Sequence, residues 1–245
     1  MYPLHPTSVN FNSIFNPQPS TAMIATSTLA FLRKLSHNNN RDWFNAHKNE
    51  YLAAKADVEG LAMQLVAGVR EFDASIGALE PKDCMFRIYR DARFSYDKSP
   101  YKTNLGIVVQ RGGKKTSYAC YYAHVEPNNC FLSGGIYMPD PPTLKALRQS
   151  IDVNYEEFLE IIADKNFKKY FSAIVDENKL VKTPQGFDKN SPVAEYLKQK
   201  DFYVIRGVSD EELCSKAYVK HALQAFKALK PLNDFFNEAL SSEMG

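Results

Sequence analysis

Two adjacent glycines between runs of alternating apolar residues constrain this chain more than any other feature. GIVVQR (106–111) and TSYACYYAHV (116–125) flank RGGKK (111–115). Gly-Gly readily adopts the positive-φ turns whose twist matches that of paired strands, so the pattern predicts a two-residue hairpin. EPNN (126–129) and CFLSGGIYM (130–138) supply a second turn and a third run. CMFRIY (84–89) reads as a strand before them, with Phe86 and Ile88 on one face and Arg87 and Tyr89 on the other. DFYVIRGV (201–208) reads as a later strand. Hairpins in succession imply antiparallel neighbours, because a parallel pair needs a long crossover. The region 84–138 is therefore expected to be an antiparallel meander. Gly134 and Gly135 interrupt the third run, which predicts a bulge or a close approach of backbone to a ligand.

On either side of this block the apolar period lengthens to between three and four. Leu29, Leu32 and Leu35 form one stripe, with Ser27 as the expected N-cap, and SHNNNR (36–41) ends that helix. Phe44, His47, Tyr51, Ala54, Val58, Leu61, Leu65, Val69 and Phe72 then predict one long core helix that Gly60 and Gly68 could bend. Further helices are expected over 141–150, with Pro at the first turn, and from 154, with Glu157 completing a capping box. A short strand near 180–182 and a Ser191-capped helix over 191–200 come next. Helices over 215–229 and 232–240 are expected to be separated by a break at Pro231.

An apolar share of 44% is ample for a packed core. Helices, a run of strands and helices again argue for an α+β fold. The expected arrangement is a single domain over 23–240 whose antiparallel sheet is packed by N-terminal and C-terminal helices. Residues 1–22 contain no Lys, Arg, Asp or Glu and show no periodicity, so they are expected to be a disordered tail. Met23, where the helical pattern opens, is a candidate start, and 241–245 is expected to be a short C-terminal tail.

The net charge of +2 conceals an uneven distribution. From Arg87 to Lys115 eight Lys and Arg stand against two Asp, a local +6, so the remainder nets −4. A basic segment on a mildly acidic body points to a local anion site rather than to a surface coated in positive charge. Its densest part is FRIYRDARFSYDKSPYKTN (86–104), where Arg87, Arg90, Arg93, Lys98 and Lys102 alternate with aromatic rings. Arginine forks, lysines and the hydroxyl of Tyr101 would cradle phosphate or carboxylate, with Tyr118, Tyr122 and His124 on one face of the neighbouring hairpin. Asp91 and Asp97 can neutralise only two of the five cations, so the other three need solvent, a remote carboxylate or a ligand. A second candidate is 38–48, around a helix N-terminus, where Arg41 and Lys48 add charge and Trp43 a flat face. His47 reads first as a core residue on the apolar stripe, with a base role as the alternative.

Cys84, Cys120, Cys130 and Cys214 show neither a C-x-x-C pair nor metal-ligand spacing, and the five histidines are scattered. No P-loop, G-x-G-x-x-G, H-E-x-x-H or G-x-S-x-G occurs, so neither a cofactor nor a metal is expected. No apolar run reaches the roughly 18 residues of a membrane span, and a signal peptide is not apparent, so the expected location is the cytoplasm.

Five phrases carry a resemblance to a known family: NNNRDWFNAHKNEY (38–51), FRIYRDARFSYDKSPYKTNLG (86–106), FLSGGIYMPDPPTLKALR (131–148), PQGFDKNSPVAEYLKQKDFYVIR (184–206) and FKALKPLNDFFN (226–237). Over roughly 23–240 the chain resembles the domain of unknown function 2461 family. That resemblance implies an α+β fold and no established activity.

Three functional readings remain open. The first is a binding or catalytic pocket for a small anionic ligand, built by Arg87, Arg90, Arg93, Lys98, Tyr101 and Lys102 with Arg41 and Trp43. If it is catalytic, Asp91 and Asp97 are the nearby candidate bases. The second is nucleic-acid binding through the basic, aromatic loop. The third is a protein-interaction module for an acidic partner.

Overall fold

The computed structural model describes residues 24–91, 93 and 95–241. The expected tail over 1–22 lies outside them, as do 242–245. Four strands, β1 (Leu105–Val109), β2 (Cys120–Val125), β3 (Cys130–Ile136) and β4 (Phe202–Val208), form one sheet in sequence order. Each neighbouring pair is antiparallel, with Leu105 opposite Val125, Cys120 opposite Gly135 and Cys130 opposite Val208. Before the sheet come α1 (Thr26–His37), α2 (Arg41–Ala46), α3 (Lys48–Arg70) and α4 (Pro81–Cys84). Between β3 and β4 lie α5 (Pro141–Val153), α6 (Tyr155–Ala163), α7 (Lys165–Tyr170) and α8 (Ala194–Leu197). The chain continues through α9 (Asp210–Leu213) and α10 (Tyr218–Ser241). The fold is thus α+β, an antiparallel meander packed by N-terminal and C-terminal helices. α3 packs on β1 and α10 on β3, and Val58, Leu65, Phe226 and Leu229 of the helices join Ile107, Leu132 and Val204 of the strands in one buried core.

The Gly-Gly hairpin pairs the expected strands through a longer loop. β1 stops at Val109 and β2 begins at Cys120, leaving 110–119 between them. Gly112 and Gly113 both have φ of 76°. Two turns in succession close the loop, the Gly113 N–H donating to the Gln110 carbonyl at 3.0 Å and the Thr116 N–H to the Gly113 carbonyl at 3.2 Å. The Gln110 amide donates to the Thr116 carbonyl at 2.9 Å. Such side-chain bonds compete with ladder pairing and shorten both strands.

Residues 84–89 are not a strand. Met85 and Tyr89 make single bridges to Ile107 and Tyr101, while Met85 and Ile88 are buried and Phe86 is exposed. That spacing of three defeats the two-faced reading. The expected bulge at Gly134-Gly135 is also absent, since pairing runs through both residues on both sides. The glycine at 134 instead lets α10 approach the sheet: a Cβ there would lie 2.2 Å from Leu229 Cδ2 and 2.5 Å from the Cys120 carbonyl oxygen.

The expected long helix divides at His47, which takes φ −107° and ψ 24° between α2 and α3, and it ends before Phe72. Pro231, by contrast, does not end α10. A proline forfeits one helical hydrogen bond, but Leu229, Leu232, Phe235 and Phe236 on both sides are buried and hold the helix in place. Asn154 and Val193 stand at the starts of α6 and α8 without side-chain caps, and the strand near 180–182 reduces to one bridge between Lys179 and Gln199.

Ser27 does not cap α1 either, because Ala25 is the N-cap and makes no side-chain bond. The cap comes from α3: Asp57 Oδ2 accepts from the Ala25 N–H at 2.8 Å and from the Thr28 hydroxyl at 2.6 Å. A carboxylate at a helix N-terminus satisfies a free donor and complements the dipole. Asp57→Ala is expected to cost about 1–2 kcal/mol in a urea titration, the range of a lost cap. Ser27→Ala, which removes no cap, should change stability by less than about 0.5 kcal/mol; equal losses would show that Asp57 is not the cap.

Candidate functional site

The stretch 86–104 folds back on itself. The Arg90 N–H donates to the Pro100 carbonyl at 2.9 Å and the Lys102 N–H to the Ile88 carbonyl at 2.7 Å, bracketing the Tyr89–Tyr101 bridge. Asn39, between α1 and α2, clamps the base of this fold-back. Its amide nitrogen donates to the Tyr101 carbonyl at 2.9 Å and its oxygen accepts from the Tyr101 N–H at 3.1 Å. The Tyr101 ring stacks on Phe44 of α2 with centroids 3.9 Å apart. This stacking brings Arg41 and Asn45, one helical turn apart, against the cationic segment.

The two elements enclose an open cavity of about 730 Å³. Five cations line it: Arg41, Arg87, Arg90, Arg93 and Lys98. Tyr89, Tyr101 and Pro100 supply apolar wall, and Asn45 and Asp91 the remaining polar groups. Asn45 could have been found in the sequence from its i,i+4 relation to Arg41. Tyr89 and Pro100 stand in the cationic stretch, but only the Tyr89–Tyr101 bridge turns them to the cavity.

The acids take two of the arginines. Arg93 forks onto Asp91, Nε to Oδ1 at 2.9 Å and Nη2 to Oδ2 at 2.6 Å, and Arg90 pairs with Asp97 while approaching the Ser95 hydroxyl at 3.4 Å. Hydrogen bonds from Arg93 hold Asp91 below the usual carboxylate range, and bonds from Ser99 and Arg90 do the same for Asp97. Both acids are thus held in their charged form, and their hydrogen bonds to Arg93, Ser99 and Arg90 shape the loop. Lys98 reaches the Arg93 carbonyl at 3.4 Å. Arg41 and Arg87 make no hydrogen bond or ion pair with the described residues, although the charge of Arg87 is felt by Asp91 and Lys102.

Four expected site residues stand apart from the cavity. Lys102 lies over the Phe86 ring at 5.4 Å, and burial, then the nearby Arg87, lowers its pKa. Trp43 stacks between Phe31 and His47, and the His47 Nδ1 sits 2.8 Å from the Trp43 carbonyl oxygen. Asp97 is engaged by Arg90. The start of α2 is occupied by its own N-cap, because the Asn40 side chain accepts from the Trp43 N–H.

Tyr122 and His124 do share a face of β2, whereas Tyr118 lies in the 110–119 loop beneath Arg111. The two belong to a partly buried chain. The Tyr122 hydroxyl is 2.9 Å from His124 Nδ1, and His124 Nε2 is 3.2 Å from Glu126 Oε2. Glu126 also accepts from Thr103 at 2.6 Å and Asn129 at 2.8 Å. Thr103 stands near the end of the cationic stretch, so this chain ties that end to the sheet. Burial lowers the His124 pKa against the pull of Glu126, while burial of Glu126 is outweighed by its hydrogen bonds, which leave its pKa lowered.

A histidine with a lowered folded pKa binds its proton more tightly when unfolded, so acid favours unfolding. Stability from His124 should be complete above its unfolded pKa of about 6.5 and decline as pH falls below it, followed by the Glu126 contribution below about 4.5. The melting temperature should thus drop between pH 7 and pH 5. His124→Gln should flatten that part of the curve; an unchanged slope would remove His124 from the account.

Among the described residues no group of His, Cys, Asp and Glu is placed to hold a metal ion, and no helix is long and apolar enough to cross a membrane. A family model described as a conserved hypothetical protein (DUF2461) matches residues 27–235. No curated protein and no solved structure matches the chain significantly.

Proposed function

The chain belongs to the DUF2461 family of conserved hypothetical proteins, and we propose that its cationic cavity binds a small ligand bearing phosphate or carboxylate. The observation that carries this reading is the pair Arg41 and Arg87. They come from separate elements, line one cavity and have no partner among the described residues. Guanidinium forks match the oxygens of phosphate and carboxylate two at a time, and concave sites strengthen the attraction by excluding water. The fold-back, the Asn39 clamp and the Tyr101–Phe44 stack hold the cations in position before any ligand arrives, which lowers the ordering cost of binding. The four cysteines are free, which fits a reducing compartment, and we place the protein in the cytoplasm.

Thermal melts test the reading. At constant ionic strength, replacing chloride by phosphate or by a dicarboxylate should raise the melting temperature, since a ligand that binds only the folded state stabilises it by mass action. No rise with any of these anions would overturn the proposal.

A further inference from the structure

Building on the anion reading of this cavity, we propose that its ligand is a mononucleotide, with its phosphate on Arg41 and Arg87 and its base against the ring of Tyr89. The first support is size. A water molecule's share of liquid volume is about 30 Å³, so an inorganic phosphate fills only a corner of a cavity of about 730 Å³. Organic ligands of moderate size occupy pockets of roughly 300–1,000 Å³.

The second support is the aromatic wall. Tyr89 lines the cavity, yet it is 47% exposed. It is backed by Tyr101 at 5.4 Å and Phe44 at 6.3 Å between centroids. A large ring held from behind and open in front is a platform for a planar group. A simple carboxylate or phosphate would leave it unused. The third support is a waiting donor. The Tyr101 ring is buried, while its hydroxyl makes no hydrogen bond with any described residue and is open to solvent at the cavity lining near Arg41. A phosphate or ribose oxygen would satisfy it. Asn45 adds an amide, which offers both donor and acceptor to a base edge.

A polynucleotide is disfavoured by charge. The chain outside 87–115 nets −4, so the body around the cationic segment offers no net attraction to the further phosphates of a polymer.

Calorimetric titrations of the full chain with inorganic phosphate, ribose 5-phosphate and the four common ribonucleoside monophosphates test the assignment. At least one nucleotide should bind about tenfold or more tightly than ribose 5-phosphate, the advantage expected of one stacked base. Tyr89→Leu should erase that advantage while changing ribose 5-phosphate affinity by less than about threefold, and Tyr89→Phe should keep it. If phosphate and ribose 5-phosphate bind but no nucleotide binds better, or if Tyr89→Leu keeps the advantage, the nucleotide assignment is wrong and the anion reading stands. If none of the three ligand types binds, the nucleotide assignment and the phosphate form of the anion reading fall together, and the dicarboxylate melts decide what is left of that reading. A single-stranded oligonucleotide that binds more tightly than every mononucleotide would replace this proposal with nucleic-acid recognition.

Discussion

The double variant Arg41→Gln, Arg87→Gln is expected to lose anion stabilisation while its melting temperature in chloride stays within a degree or two of the parent. Both side chains are exposed and neither bonds to a described residue, so their removal takes away no internal contact. Surface changes of that kind usually stay within about 0.5 kcal/mol, which for a chain of this length is a shift of roughly 1–2 °C. Removing two of five like charges around one cavity relieves repulsion as well. The effect on binding is of another order. Hydrogen bonds to a charged group contribute roughly 1.5–3 kcal/mol each, so losing both arginines should weaken phosphate binding by two decades or more. At a ligand concentration of 100 times the parent's dissociation constant, a stabilisation of about 2.7 kcal/mol would fall below about 0.5 kcal/mol. Arg90→Gln is the informative contrast, because it breaks the pair with Asp97 and the contact to Ser95. It should loosen the loop and lower the melting temperature without ligand. A double variant that still responds fully to phosphate would place the anion elsewhere.

Gly134→Ala should be strongly destabilising for the addition of a single methyl. Its Cβ would fall 2.2 Å from Leu229 Cδ2 and 2.5 Å from the Cys120 carbonyl oxygen. Leu229 is fully buried, and the carbonyl also accepts from the Asn233 amide at 3.1 Å, so neither can yield cheaply. α10 must lift from β3 or the sheet must bend. Overpacking of this kind costs typically 1–3 kcal/mol, and the approach here is close enough to expect the upper end, a fall of roughly 6–12 °C in melting temperature. Gly207→Ala is the control on β4, where nothing lies within 4 Å of the added carbon. It should be neutral or slightly stabilising, because alanine has less freedom to lose on folding. Equal losses at both positions would mean that strand glycine as such, rather than the helix contact, sets the cost.

The two successive hairpins of β1, β2 and β3 and the basic cluster were legible in the sequence because both are local properties. Alternation over a few residues reports a half-buried strand wherever it lies, and the excess of Arg87, Arg90, Arg93, Lys98 and Lys102 over Asp91 and Asp97 is a matter of counting. The same locality explains the failures. Residues 84–89 alternate like a strand, but burial of Met85 and Ile88 is set by the elements packed against them. Ser27 has the chemistry of a cap, but Asp57 from a neighbouring helix holds the position. Gly134-Gly135 reads as a bulge because the sequence does not show Leu229 lying above it.

The site divides along the same line. Its charge was written in one stretch, yet only tertiary structure turned Lys102 onto Phe86, paired Arg90 and Arg93 with the loop's own acids, and set Arg41 of α2 in the same cavity wall as Arg87. The Asn39 clamp and the Tyr101–Phe44 stack are what join those distant segments. A cation's partner is decided by which groups come within a few ångströms, and the energy of an ion pair falls off with distance and solvent exposure. Composition determined that positive charge would be left over; packing decided that Arg41 and Arg87 would carry it at the cavity.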